Sequence, residues 1–243
     1  MVMETPLQDS VGNRVSLLIN ALQDPHVSVV WNATRDLARL GPAASDALPA
    51  LQQALKSHDP TSRLWARFAI AKITEDEPTH LPEFVKALGN KKGIFPGMAS
   101  AALAGFGRNA TAAVPLLIAE LREDNAEYRW SAAGALANIG PEAFEAVPEL
   151  TRLLADPDEK VRWYSAWALG EIGSAAEPAI LALVGLLDDI DDDVRGYAAR
   201  SIANIGGKAA KAALPRLKEM AHDDNPNLRS AAEDAIARIG GRL

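Results

Sequence analysis

A 33-residue period runs through almost the whole chain and decides what it can fold into. It shows at the ends of the second helices. Leu40-Gly41, Ile73-Thr74, Phe106-Gly107, Ile139-Gly140, Ile172-Gly173 and Ile205-Gly206 step by 33, and Ile239-Gly240 follows one residue late. A fixed period of this size means stacked helical pairs, each burying its apolar face only against its neighbours. The expectation is an all-α solenoid of about seven pairs over residues 11–243, with residues 1–10 as an N-terminal extension. Function then has to be sought where the repeat is broken.

Within a repeat the first helix opens on an apolar residue followed by proline: Leu48-Pro49, Leu81-Pro82, Val114-Pro115, Val147-Pro148 and Leu214-Pro215. Proline in a first helical turn has no hydrogen bond to lose. Val114, Leu117 and Leu121, and again Val147, Leu150 and Leu154, recur on one helical face. A polar loop such as Asp156-Pro157-Asp158-Glu159 comes next. The second helix places Val161, Ser165, Ala168, Leu169 and Ile172 on one face, matched by Leu228, Ala232, Ala235, Ile236 and Ile239. A terminal glycine can then take the left-handed conformation that ends a helix.

These positions resemble HEAT repeats, most closely the short HEAT-like repeats first noted in phycobilisome bilin lyases. The shared pattern is an acidic loop followed by V-R-x-x-A-x-x-A-L-x-x-I-G. It stands here as Val161-Arg162 to Ile172-Gly173 and Val194-Arg195 to Ile205-Gly206. The resemblance implies a right-handed α-solenoid whose second helices line the concave side. It also implies a ladder of hydrogen bonds between repeats, carried by an acid six residues before each arginine. The pairs are Glu123/Arg129, Asp156/Arg162, Asp189/Arg195 and Asp223/Arg229. Val30 and Pro96 stand where the first and third repeats should have that arginine, so the ladder is expected to fail there.

All five tryptophans sit on second helices, away from the main core stripe. Trp31, Trp130 and Trp163 share one repeat position, and Arg35, Phe68, Trp167 and Arg200 share the position four residues on. Nearly opposite the core by helical geometry, Trp31, Trp130, Trp163 and Trp167 are read as groove-facing contact residues. Trp65, Tyr164 and Tyr197 share the flanking position, where rings can fill the seam between repeats, and Tyr128 takes a core position. The partner-binding candidates are Trp31, Phe68, Trp130, Trp163, Trp167, Tyr164, Tyr197, Arg35, Arg67 and Arg200. The third repeat departs further. Its loop, Gly89-Asn90-Lys91-Lys92-Gly93-Ile94-Phe95-Pro96-Gly97, is basic, and Gly97, Ser100, Ala101 and Ala104 give a small outward face. A shallow notch bordered by Phe68 and Trp130 is one reading, and a locally drifted repeat is the other.

Other chemistries find little support. A net charge of −7 argues against nucleic acid, which needs a basic stripe. That also separates the chain from the HEAT-like alkylpurine DNA glycosylases, whose aromatic groove is strongly basic. There is no cysteine, so no disulfide framework or thiolate site, which fits the cytoplasm. No basic segment followed by an apolar run marks a secretory signal, and no stretch approaching 18 apolar residues suggests a membrane span. His26, His58, His80 and His222 fall in or near loops at different offsets. No metal is expected, nor the iron of deoxyhypusine hydroxylase, which the family binds through His-Glu dipeptides. The run Asp188 to Asp193 lacks the glycine and glutamate of a calcium loop, with Val194 and Arg200 in their places.

The function expected is a non-enzymatic scaffold or adaptor that holds a protein or peptide in an aromatic-lined groove, with no cofactor. Self-association would satisfy the same surface. The alternative is an enzyme, or enzyme subunit, of the bilin-lyase-like class acting on a planar small molecule.

Overall fold

The computed structural model describes residues 6–89 and 98–240. Among them are fourteen α-helices: α1 (Pro6–Ala21), α2 (Val27–Leu40), α3 (Leu48–Ala54), α4 (Pro60–Thr74), α5 (Glu77–Gly89), α6 (Met98–Phe106), α7 (Val114–Glu120), α8 (Ala126–Ile139), α9 (Val147–Leu153), α10 (Glu159–Ile172), α11 (Ile180–Gly185), α12 (Asp192–Ile205), α13 (Leu214–Met220) and α14 (Pro226–Gly240). Their order is that of an all-α solenoid, as the period requires. Helix α1 begins at Pro6, inside the stretch assigned to an extension. The basic stretch 90–97 of the third repeat's loop lies outside the described residues.

The chain divides into two compact parts, residues 1–102 and 103–243. In the first, α2 packs on α4, and Leu37, Leu51, Ala69 and Phe84 are fully enclosed. In the second, α8, α10, α12 and α14 pack in sequence order. The short helices α7 and α9 bury Val114, Leu117, Leu121, Val147, Leu150 and Leu154 behind them. Val161, Ser165, Ala168, Leu169 and Ile172 of α10 are buried as the stripe predicts, whereas Ile236 and Tyr128 are only half-buried. The acidic loops also start helices. Asp158 and Asp191 each accept a hydrogen bond from the third backbone N–H beyond them, on Val161 and Val194.

Gly41, Gly107, Gly140, Gly173 and Gly206 end their helices at positive φ. Four of them have ψ between −137° and −146°. That is a largely glycine-only region rather than the left-handed helical one the sequence suggests. It turns the chain into a short 3-10 segment leading to the next first helix. Two stretches, Met98–Glu120 and Glu159–Asp188, each hold an 18-residue window whose mean hydropathy reaches 1.3 and 1.4. Alanine supplies much of that value, and each stretch turns at Gly107 or Gly173 and is not one straight rod.

In the second repeat Thr74 replaces the terminal glycine, and the positive φ moves to Glu75 (φ 56°, ψ 22°). A side chain with a Cβ is strained there by about 1–2 kcal/mol. Glu75→Gly is therefore expected to raise stability by about 1 kcal/mol, less the entropy glycine adds to the unfolded chain. Urea titration checks this, and a loss of stability would show that Glu75 makes compensating contacts.

Candidate functional site

The acid/arginine ladder joins adjacent repeats, with the arginine on backbone in its own loop and the acid bridging between repeats. Arg162 donates from Nη1 to the backbone carbonyl of Asp156 at 2.9 Å, the residue six before it. Its Nε and Nη2 form a two-pronged pair with the Asp189 carboxylate of the next repeat, at 2.8 and 2.9 Å. Arg129 does the same with the Glu123 carbonyl (2.8 Å) and the Asp156 carboxylate (2.9 and 2.8 Å). Each arginine thus ties its own loop by backbone and the following loop by side chain. Arg63 holds the Ser57 and His58 carbonyls in the same way. The hydrogen bonds that Arg162 donates to the Asp189 carboxylate raise the arginine's pKa. Burial pushes the Asp189 carboxyl upward, but hydrogen bonds from Arg162 and the Asp191 N–H outweigh it and leave the pKa lowered.

The ladder changes where the repeat gains a residue, at Gly206-Gly207. Arg195 still takes the Asp189 carbonyl, at 2.7 Å, but its other end turns back to Asp192. Asp192 in turn accepts from Asn225 of the last repeat at 2.6 Å. A cleft of ≈ 330 Å³ opens beside this junction, lined by Asp189, Arg195, Arg216 and Asp223 among others. The acidic run that invited a calcium reading is spent structurally. Asp188 pairs with Arg216, Asp189 with Arg162, and Asp191 caps α12. Among the described residues no three His, Asp or Glu side chains converge to hold a metal.

The aromatic candidates of the second part come together as one ladder of rings. Trp130 of α8 stacks on Tyr164 of α10 with centroids 5.4 Å apart. Tyr164 lies against its neighbour Trp163 at 3.6 Å, and Trp163 stacks on Tyr197 of α12 at 4.9 Å. The three interplanar angles are 22°, 24° and 21°, so the rings run nearly parallel across three second helices. Trp167 joins at the side, tilted 6.0 Å from Tyr164, and donates from Nε1 to Glu171 at 3.2 Å. Arg200 lies over the Tyr197 ring at 5.7 Å. The separation into seam rings and groove rings therefore does not hold, because Trp163 and Tyr164 share one stack. All five rings are half-buried rather than exposed.

Glycine makes room for this arrangement. A Cβ on Gly134 would lie 3.1 and 3.2 Å from Tyr164 ring atoms, so α8 presents a flat floor to that ring. The corresponding site on α10 is Trp167 itself. Burial raises the Tyr164 pKa, with a smaller contribution from Tyr197.

In the first part the candidates do not gather into such a surface. Phe68 is buried at 8% exposure, edge-on to Trp65 at 5.5 Å and to Phe84 at 6.4 Å. It belongs to the core and is withdrawn as a contact residue. Its position faces outward in an idealised repeat, but it packs against α5. Trp31 is half-buried. Arg35 is exposed and donates to Asn32 at 2.9 Å. Arg67 is half-buried, and its charge adds to the burial that lowers the His80 pKa. Ser100, read as part of an outward face, is fully buried.

The profile of HEAT repeats matches residues 15–113, 114–203 and 180–242. The chain belongs to the HEAT-repeat family. The match covers HEAT repeats in general and does not distinguish the bilin-lyase subtype. Among solved structures this HEAT-repeat chain is similar to two engineered proteins of the Northeast Structural Genomics Consortium. One is 25% identical with a TM-score of 0.59, over 96% of this chain and 71% of the other. The second is 26% identical with a TM-score of 0.51, over 93% and 96%. No curated protein matches the sequence.

Proposed function

We propose that this HEAT-repeat chain is a non-enzymatic scaffold that binds a protein or peptide segment along the rings of α8, α10 and α12. The observation that carries the reading is the parallel ladder Trp130–Tyr164–Trp163–Tyr197, half-open to solvent and crossing three successive repeats. Stacked repeats offer extended surfaces. Rings already locked against one another give contact area with little entropy lost on binding. The repeat pattern itself does not require aromatics here, since the equivalent places range from Gly196, Ser230, Gly134 and Ala101 to Trp31, Leu64 and Phe68.

The test uses Trp167, because Trp163 is held between two rings and its removal would also loosen the fold. Trp167 touches the ladder only at a tilt, so Trp167→Ala is expected to lower stability by less than about 1 kcal/mol. A central contact ring typically costs about 2 kcal/mol of binding when truncated. Proteins retained on the immobilised chain should therefore be lost on the Trp167→Ala chain, with the circular dichroism melt nearly unchanged. Equal retention by the two would overturn the reading. Sedimentation of the free chain identifies a second copy as the occupant if its dimer dissociates on the same substitution.

A further inference from the structure

Arg200 stands out among the arginines of the second part. Arg129, Arg162, Arg195 and Arg229 spend their guanidinium groups on backbone carbonyls, and the first three also on carboxylates. Arg108, Arg122, Arg152, Arg216 and Arg238 each have an acidic partner. Arg200 is exposed and makes no hydrogen bond or ion pair among the described residues. Its guanidinium carbon stands over the Tyr197 ring, 5.7 Å from the centroid, at the end of the aromatic ladder. A guanidinium attracted to a ring is kept near it, while N–H donors not spent on the ring stay open. That edge fits a carboxylate, which can accept two parallel hydrogen bonds.

We infer that the occupant of the ring surface is an extended protein segment whose Asp or Glu side chain pairs with Arg200 while an aromatic or proline residue covers Trp167. This rests on the peptide-binding reading above and names the chemistry of its partner. Trp167 and Arg200 hold the same repeat position on neighbouring helices. Packed helices stand about 9–10 Å apart, and an extended chain advances about 3.3 Å per residue. The acid therefore sits about three residues from the aromatic or proline. Charge complementarity selects the carboxylate over a basic group. Glu171 beside Trp167 already supplies the nearby negative charge and is engaged by the indole N–H, whereas the cation has no counterpart.

Panning a random-peptide display library on the full chain tests this directly. Enriched peptides should carry Asp or Glu about three residues from Trp, Tyr, Phe or Pro. For one such synthetic peptide, its acid-to-amide version and the Arg200→Met chain should each weaken binding about tenfold or more. The two changes together should do little more than either alone. Arg200→Lys, which keeps charge but not the fork, should fall between. Trp167→Ala should weaken the acid and amide peptides alike. Selection of basic or uncharged peptides, or an acid whose binding ignores Arg200→Met, overturns the inference. The peptide-binding reading survives that result if Trp167→Ala still abolishes binding. If neither substitution matters, or no peptide is enriched over a library panned on the Arg200→Met/Trp167→Ala chain, both fall.

Discussion

Arg162→Ala should lower unfolding stability by about 2–4 kcal/mol, well above the 0–1 kcal/mol typical of an exposed ion pair. The side chains of Arg162 and Asp189 are only 13% and 11% exposed, and their pair is two-pronged. Removing the arginine strips the Asp156 and Pro157 carbonyls of a donor and leaves a largely enclosed Asp189 carboxylate without its cation. Lys160→Ala, at an exposed site two residues before Arg162, should change stability by less than about 0.5 kcal/mol. Denaturant titration of the two variants decides the matter, and equal small losses would refute the ladder as a stabilising device. The pH dependence follows from Asp189, whose pKa is lowered from its ordinary 3.8 in the fold. Its contribution is complete above the unfolded carboxyl value and is lost as pH falls through the lower folded one. The natural chain should therefore lose stability more steeply below pH 4 than the Arg162→Ala chain.

Gly170→Ala should also destabilise, and here two effects oppose each other. In an open helix interior alanine is better than glycine by about 1 kcal/mol. Most equivalent positions hold alanine: Ala38, Ala71, Ala104, Ala137, Ala203 and Ala237. But a Cβ on Gly170 would lie 2.6 Å from the Ser201 hydroxyl and 2.9 Å from its Cα and Cβ. Two of those atoms belong to, or are fixed by, the α12 backbone, so the helices would have to move apart. Overpacking of this kind costs about 1–3 kcal/mol, and a net loss of about 1–2 kcal/mol is expected from the Gly170→Ala chain. Adding Ser201→Ala removes the nearest atom and should recover part of the loss, which a double-mutant cycle measures. A stabilised Gly170→Ala chain would mean that α10 and α12 separate freely. The same variant is informative for the ring surface, because Trp163 on α10 and Tyr197 on α12 are stacked across this contact.

The repeat, the all-α solenoid class, the buried stripes and the residues that tie one repeat to the next are all legible in the amino-acid pattern. Periodicity is a property of the chain, and a residue type recurring at every 33rd position has one structural reason to do so. The same pattern also picks out Trp130, Trp163, Trp167, Tyr164, Tyr197 and Arg200, because they lie on second helices away from the buried stripe. How those side chains meet depends on the packed helices. A helical wheel sends Trp163 and Tyr164 in different directions, yet their χ angles bring the rings to 3.6 Å. The same limit explains the ladder register. Spacing shows that Asp156 and Arg162 belong together, but not that Arg162 takes the Asp156 carbonyl while the carboxylate serves Arg129. Phe68 became core because α5 packs over it, a contact that no periodic rule contains. Conversely, Gly134 and Gly170 read as unremarkable small residues in sequence, and only the distances to Tyr164 and Ser201 show what each lack of a Cβ allows. A repeat specifies which faces are buried through the hydrophobic effect, which depends on area alone. Directional contacts between side chains depend on rotamers and helix separation, which exist only once the neighbours are in place.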